Sequence, residues 1–178
     1  MAYSDLVIPE QRLADMLAEC QTWRAIVANP DADWAALAVI LDAGTVAEGI
    51  AADRIKTGGL ATDREDPEFI EMPRAGVSDS PDDDTFTRSS TSSFDLDGRL
   101  FVVVEMPVPL SITTKNDAYR DIRAKYFALS GDLLELPRQH PRLDLMATSW
   151  DSGYVFRKDH NGEWFETIQF GVTYRGAT

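Results

Sequence analysis

The residues best suited to act as bases or nucleophiles are few in this chain: His140, His160 and Cys20. A serine or cysteine nucleophile of the triad type needs a histidine to take its proton. His140 lies between Gln139 and Pro141, His160 lies at a predicted turn, and neither sits in a recognisable motif. We therefore expect no catalytic residue and a protein that is not an enzyme.

Patterns for binding metals or cofactors are equally weak. Histidine ligation of a divalent metal needs a spacing such as His-Glu-x-x-His, which the sequence lacks. Asp95, Asp97 and Gly98 match the start of a calcium loop, but the twelfth position, where such a loop needs glutamate, is Met106. The Asp97-Gly98 pair instead favours a hairpin turn. No glycine pattern suits a phosphate, so we expect no metal and no cofactor.

The composition is that of one strongly acidic domain. The chain has 178 residues and a net charge of −13, with an isoelectric point near 4.4. Such a surface repels DNA phosphates and anionic membranes, so specific DNA binding and membrane docking are not expected. The single cysteine excludes an intrachain disulfide, and its place in an apolar stripe predicts a buried, inert thiol. No stretch resembles a signal peptide or a membrane span, which predicts folding in the cytoplasm.

Residues 9–42 are predicted to be helical. The first predicted helix runs from Pro9 to Ala28. Its apolar face recurs at helical spacing and comprises Leu13, Met16, Leu17, Cys20, Trp23 and Val27. Asp31 or Asp33 then starts a second apolar segment, Trp34 to Leu41, whose alanines favour helix, although its last residues would also suit a strand.

Residues 43–71 have no clear periodicity and four glycines punctuate them. An irregular stretch of this length is unusual inside a compact domain and often has a function. We interpret it as a long irregular arm or loop that becomes ordered against a neighbouring molecule. A plain surface loop is the alternative.

From residue 72 onward the pattern predicts strands around one long helix. The predicted strands are Arg74–Ser78, Thr85–Phe94, Arg99–Met106, Arg142–Trp150 and Glu163–Tyr174. The continuous apolar run Leu100–Val104 predicts a central strand that is covered on both faces. Asp97-Gly98 and Asn161-Gly162 predict tight reversals, and consecutive strands joined by tight turns pair antiparallel.

The long helix is predicted over residues 116–136, with Asn116 or Asp117 as its cap and Pro137 ending it. Its apolar stripe comprises Tyr119, Ile122, Tyr126, Leu129, Leu133 and Leu136. The predicted class is therefore α+β, a single domain over 1–178 in which a mostly antiparallel sheet packs against two or three helices.

Basic residues gather on the first half of this helix: Lys115, Arg120, Arg123 and Lys125. In so acidic a chain they predict a surface that meets acidic groups of a neighbouring molecule, and we take them as a candidate assembly surface. The alternative is a solvated helix face with local ion pairs to Asp117 and Asp121.

The layout as a whole resembles a known family. The segments that carry the resemblance are Leu13–Trp23, Met72–Val77, Asp97–Glu105, Ala118–Leu136 and Trp164–Tyr174. In this order they are similar to the tail terminator, or tail-completion, proteins in the neck of long-tailed bacteriophages. The resemblance lies in layout rather than in a diagnostic motif, and an adjacent connector or head-completion protein fits it as well.

The resemblance implies a structural virion protein without catalytic or cofactor residues. Such a protein assembles in the host cytoplasm as a homohexameric ring, stops growth of the tail tube and joins it to the head-completion or connector proteins. An acidic lumen would let genome DNA pass without specific binding. Two other classes stay open from the residues alone: a small acidic enzyme using a carboxylate pair, and an acidic DNA mimic that inhibits a nucleic-acid-binding protein.

Overall fold

The computed structural model describes residues 9–46, 51–57, 72–78, 97–136, 143–152, 157–158 and 164–176. In chain order the elements are α1 (Pro9–Glu19), α2 (Gln21–Ala28), α3 (Trp34–Asp42), a short 3-10 turn (Ala52–Arg54), β1 (Ile55–Thr57), β2 (Arg74–Ser78), β3 (Asp97–Pro107), α4 (Lys115–Glu135), β4 (Leu143–Ser152), β5 (Arg157–Lys158) and β6 (Trp164–Gly176). The predicted α+β class is confirmed.

The strands form one sheet in the order β1-β2-β3-β6-β4, and β5 also pairs with β6. β1 and β2 are parallel, and the other pairs are antiparallel. Because β3 and β4 both run antiparallel to β6, they are parallel to each other. α4 is therefore a crossover that carries the chain from one side of β6 to the other.

The core lies between one face of this sheet and the helices. Alternate residues of β2, β3 and β6 supply the sheet's contribution: Ala75, Val77, Leu100, Val102, Val104, Met106, Ile168, Phe170 and Val172. α4 closes over them, and the Tyr126 ring meets the Phe170 ring edge-on with centroids 5.4 Å apart. Within the predicted helical stripe, Ile122, Leu129 and Leu133 are fully buried and Tyr126 is nearly so, and the stripe is therefore confirmed as a core face except at Tyr119.

The predicted central strand is confirmed, but its second face is covered only in part. β3 lies between β2 and β6. On the face opposite the core, Val103 and Glu105 are buried, Phe101 is half-buried and Arg99 is exposed. Glu105 faces Arg74 across the ladder, where Arg74 Nη2 lies 2.7 Å from Glu105 Oε2. The apolar run thus correctly predicted that β3 is central in the sheet, but not that both of its faces are covered along their whole length.

The predicted first helix is two helices, because the backbone at Cys20 is extended (ψ 125°). The break lets Leu17 and Trp23 both reach the core. It also leaves carbonyls at the end of α1 without a partner in the helix, and one of these, that of Ala18, accepts from Arg24 Nε at 2.9 Å. Cys20 itself is buried, as predicted, and its thiol donates to the Met16 carbonyl at 3.4 Å. Burial raises the pKa of this thiol far above its usual range, so it is inert at neutral pH.

The predicted start of the first helix at Pro9 is confirmed, and of the two predicted N-cap residues one is correct. Asp33 caps α3, with its carboxylate accepting from the Ala36 amide at 2.9 Å. The cap of α4 is Thr114 rather than Asn116 or Asp117. Its hydroxyl accepts from the Asp117 amide at 3.2 Å, which places the start of the helix one residue earlier.

Residues 51–57 do not belong to an irregular arm. Ile55–Thr57 form an edge strand parallel to β2, and Ala51 is buried, where its carbonyl accepts the Trp23 indole N–H at 2.9 Å. The rest of the predicted arm, apart from 43–46, lies outside the described residues, as does the predicted strand Thr85–Phe94. The predicted Asn161-Gly162 turn also lies outside them; the strands on either side of it, β5 and β6, pair antiparallel.

The predicted turn at Asp97-Gly98 is wrong, because both residues are part of β3 and pair with β6. The glycine serves packing instead. A Cβ at Gly98 would lie 2.6 Å from the Tyr174 hydroxyl and 2.8 Å from its Cζ. Tyr174 is the direct cross-strand partner of Gly98, so its ring crosses the space where a side chain would stand.

Gly98→Ala is therefore expected to lower the free energy of unfolding by about 1–3 kcal/mol, as the ring is pushed from its place. Urea denaturation measures the loss. The same substitution in a Tyr174→Ala background should cost clearly less, because the clash is gone. Equal costs in both backgrounds would show that the two residues do not interact in this way.

Candidate assembly surface

The helix α4 has one broad buried side and one narrow exposed stripe. Residues at steps of three and four share a helix face. Here such a stripe is exposed and comprises Asn116, Arg120, Arg123 and Phe127. Phe127 is 58% exposed and lies one turn after Arg123. The candidate assembly surface is therefore both cationic and aromatic.

Lys125 does not belong to this surface, so that part of the prediction is wrong. It is 1% exposed, whereas Lys115, Arg120 and Arg123 are exposed. The reason is helical geometry: Lys125 follows Arg123 by two residues, a rotation of about 200° that points it into the protein. The spacing puts Lys125 and Arg123 on opposite sides of α4, and the packing of α2 and α3 against α4 decides which of these sides is covered.

Lys125 completes a polar cluster at the start of α3. Its Nζ lies 2.6 Å from Oδ2 of Asp121, one turn earlier on α4. The other oxygen of Asp121 accepts from the backbone amide of Trp34, the first residue of α3, at 2.5 Å. The predicted ion pair between these two residues is thus present, but it is buried rather than solvated.

Asp33 adds a second carboxylate to the same helix end. Besides capping α3, it accepts from the Ser111 hydroxyl at 2.9 Å. The bonds from Ala36 and Ser111 lower the pKa of Asp33, and the nearby Lys125 charge acts in the same direction. The carboxylate is therefore ionised at neutral pH, where it complements the positive end of the α3 dipole.

The same α4 helix also caps α2. Asp132 Oδ2 accepts from the Thr22 amide at 2.8 Å, and Cys20 at the cap position of α2 supplies no side-chain bond of its own. Asp121 and Asp132 are eleven positions apart, about three helical turns, so both lie on one side of α4. This side holds the N-terminal helices in place, which leaves the opposite side outermost.

Arg123 is held in the exposed stripe by two aromatic rings. Its guanidinium carbon lies 5.9 Å from the Tyr119 ring centre and 5.5 Å from that of Phe127, one turn before and one turn after it. Nη1 also donates to the Tyr119 hydroxyl at 3.2 Å. Cation–π contacts of this kind restrict a long side chain and leave its remaining donors available.

The neighbouring Arg120 is less constrained. Its Nη1 lies 3.8 Å from Asp117 Oδ1, and both side chains are largely exposed. A pair of this kind contributes little, since solvent screens it. Arg123 is thus the ordered cation of the surface, and Arg120 is a solvated one.

Tyr119 and Phe127 are the surface residues that sequence reasoning missed. Tyr119 was assigned to the core stripe, but it is only partly buried and contacts Arg123. Tyr119 and Phe127 lie four residues before and four residues after Arg123, and this spacing alone would have predicted that both rings contact its side chain on the helix surface.

Among the described residues, no cluster of three or more histidine, cysteine or acidic side chains could hold a metal ion. In the same residues, no helix combines the length and apolar character that a membrane span requires. His140 and His160 lie outside the described residues.

Comparison with models of known protein families and with curated protein sequences finds no match to this chain. The likeness to phage neck proteins therefore rests on the layout of the sequence.

Proposed function

We propose that this protein is a structural component of a tailed-phage neck, a ring that ends the tail tube and joins it to the head-completion or connector proteins. The observation that carries the proposal is the exposed stripe of α4. An acidic protein exposes ordered arginine and phenylalanine side chains side by side on one helix, and both residue types are common at the centres of protein interfaces.

The charge balance supports the same role. A chain with a net charge of −13 would repel passing genome DNA, while a local cationic stripe offers attachment to an acidic neighbour. In a closed ring, each copy would use one surface to contact a different surface of the next copy. A single pair of complementary surfaces, repeated at every contact, is therefore enough to build the ring.

Negative-stain electron microscopy of the purified chain, alone and with its tail tube protein, tests the proposal. Six-fold rings are the expected result. A protein that stays monomeric in both samples at all accessible concentrations would contradict it. The enzyme and DNA-mimic alternatives do not require rings, so the same images separate them from the neck protein.

The double charge reversal Arg120→Glu and Arg123→Glu is expected to leave the fold intact and to weaken assembly. Both side chains are exposed, so the free energy of unfolding should fall by no more than about 2 kcal/mol, mostly from the two lost ring contacts of Arg123. Circular dichroism checks the fold, and sedimentation velocity measures the loss of assembly. If sedimentation is unchanged, the exposed stripe of α4 is not the assembly surface.

A further inference from the structure

Arg123 of α4 has no carboxylate partner among the described residues, unlike its neighbours Arg120 and Lys125. Lys125 has Asp121 and Arg120 has Asp117, each within 4.0 Å. Within the part of the chain that the structure describes, the contacts of Arg123 are the two rings and the Tyr119 hydroxyl, and it pairs with no carboxylate. This is notable in a protein with 30 acidic and 17 basic residues.

The rings fix where a partner group must approach. An arginine has five N–H donors in a planar fork, and the hydrogen bond to the Tyr119 hydroxyl uses one nitrogen, Nη1. Tyr119 and Phe127 flank the guanidinium along the helix, and the remaining donors suit a carboxylate approaching from outside. A side chain already held in this way loses little entropy when it binds, which favours a specific bidentate contact.

We infer that Arg123, between Tyr119 and Phe127, is the central contact of a self-association interface and that it binds an aspartate or glutamate of a second copy of this chain. The composition of the chain argues for this occupant, because a second copy offers 30 acidic side chains against 17 basic ones, and pairing one of its carboxylates with Arg123 offsets the repulsion between two copies of like net charge. Phe127 lies beside it and is 58% exposed, and the same contact would bury this apolar surface away from water. The inference rests on the proposed assembly but not on its being a phage ring.

Sedimentation velocity over a concentration and salt series compares four proteins: the unaltered chain, Arg123→Glu, Arg123→Lys and Arg120→Glu. Arg123→Glu should raise the dissociation constant about 30-fold or more, as for a central interface residue. Arg123→Lys should give an intermediate value, because it keeps the charge and loses the planar fork. Arg120→Glu is the matched control on the same helix, and its effect should stay below about fivefold.

The Arg123→Lys variant also identifies the partner group. It places a primary amine at this position, which a zero-length carbodiimide crosslinker joins to a carboxylate in direct contact. In an equal mixture of 14N- and 15N-labelled copies, mass spectrometry should find crosslinked peptides of mixed isotope from position 123 to an aspartate or glutamate. Crosslinks confined to one isotope, or an unchanged dissociation constant for Arg123→Glu, would overturn the inference.

The outcomes separate this inference from the proposed function. Rings that persist in Arg123→Glu would leave the neck assignment standing and remove the role of Arg123. Association that depends on Arg123 but forms dimers rather than rings would support the inference and contradict the neck assignment. An unaltered chain that does not self-associate at any concentration would contradict both.

Discussion

Leu129→Asp is expected to abolish folding. Leu129 has no exposed surface and lies in the middle of the α4 stripe that closes the core over β6. The substitution removes apolar contacts worth about 2–5 kcal/mol. It also buries a carboxylate without a partner, which costs several more. Together these terms approach the whole stability of an ordinary domain, about 5–15 kcal/mol.

Far-ultraviolet circular dichroism and the loss of a cooperative thermal transition measure this outcome. Leu129→Ala should stay folded and lose about 2–5 kcal/mol, since it creates a cavity without a charge. Phe127→Asp is the matched control: it makes a similar change two positions away, on the exposed side of the same helix. If Phe127→Asp unfolds the protein as readily as Leu129→Asp, the orientation assigned to α4 is wrong.

Asp121→Ala is expected to cost about 3–5 kcal/mol, the range for breaking one partner of a buried ion pair. Two groups lose their acceptor at once. The Lys125 ammonium, 1% exposed, is left without the carboxylate at 2.6 Å, and the Trp34 amide at the start of α3 is left uncapped. Urea denaturation, with the midpoint and slope fitted separately, measures the loss.

Two further variants isolate the cause. Asp117→Ala removes an exposed aspartate one turn earlier on the same helix and should cost less than about 1 kcal/mol. Adding Lys125→Met to Asp121→Ala should recover much of the loss, because replacing both partners by apolar groups leaves no unpaired charge. If the double variant is no more stable than Asp121→Ala, the missing cap of α3 rather than the buried lysine dominates.

The spacing of apolar residues along the chain was enough to predict most of the helices and strands. The steps of three and four in α4, the apolar run of β3 and the alternation of β6 each depend only on where neighbouring side chains point in a helix or strand. These local rules correctly placed α3, α4 and β2, β3, β4 and β6 to within a few residues. They also marked Cys20 and Trp23 as core residues.

Local rules failed where a distant element decided the outcome. The chain breaks at Cys20 because α1 and α2 pack on different neighbours, and an aspartate from α4 caps the new helix end. Asp97-Gly98 has the composition of a turn, yet it extends β3 because β6 pairs with it. Ile55–Thr57 have too little pattern to predict a strand and become one by pairing with β2.

The sequence by itself determined the α+β class, the buried stripe of α4 and the strong acidity of the chain, because these depend on composition and on spacing along the chain. The tertiary structure alone decided which basic residues remain outside. Lys125 was counted with Arg123 as a surface charge, but α3 covers its side of the helix and Asp121 neutralises it there. The opposite side carries Arg123 between two rings and stays exposed, because α2 and α3 pack on the side of α4 that holds Lys125.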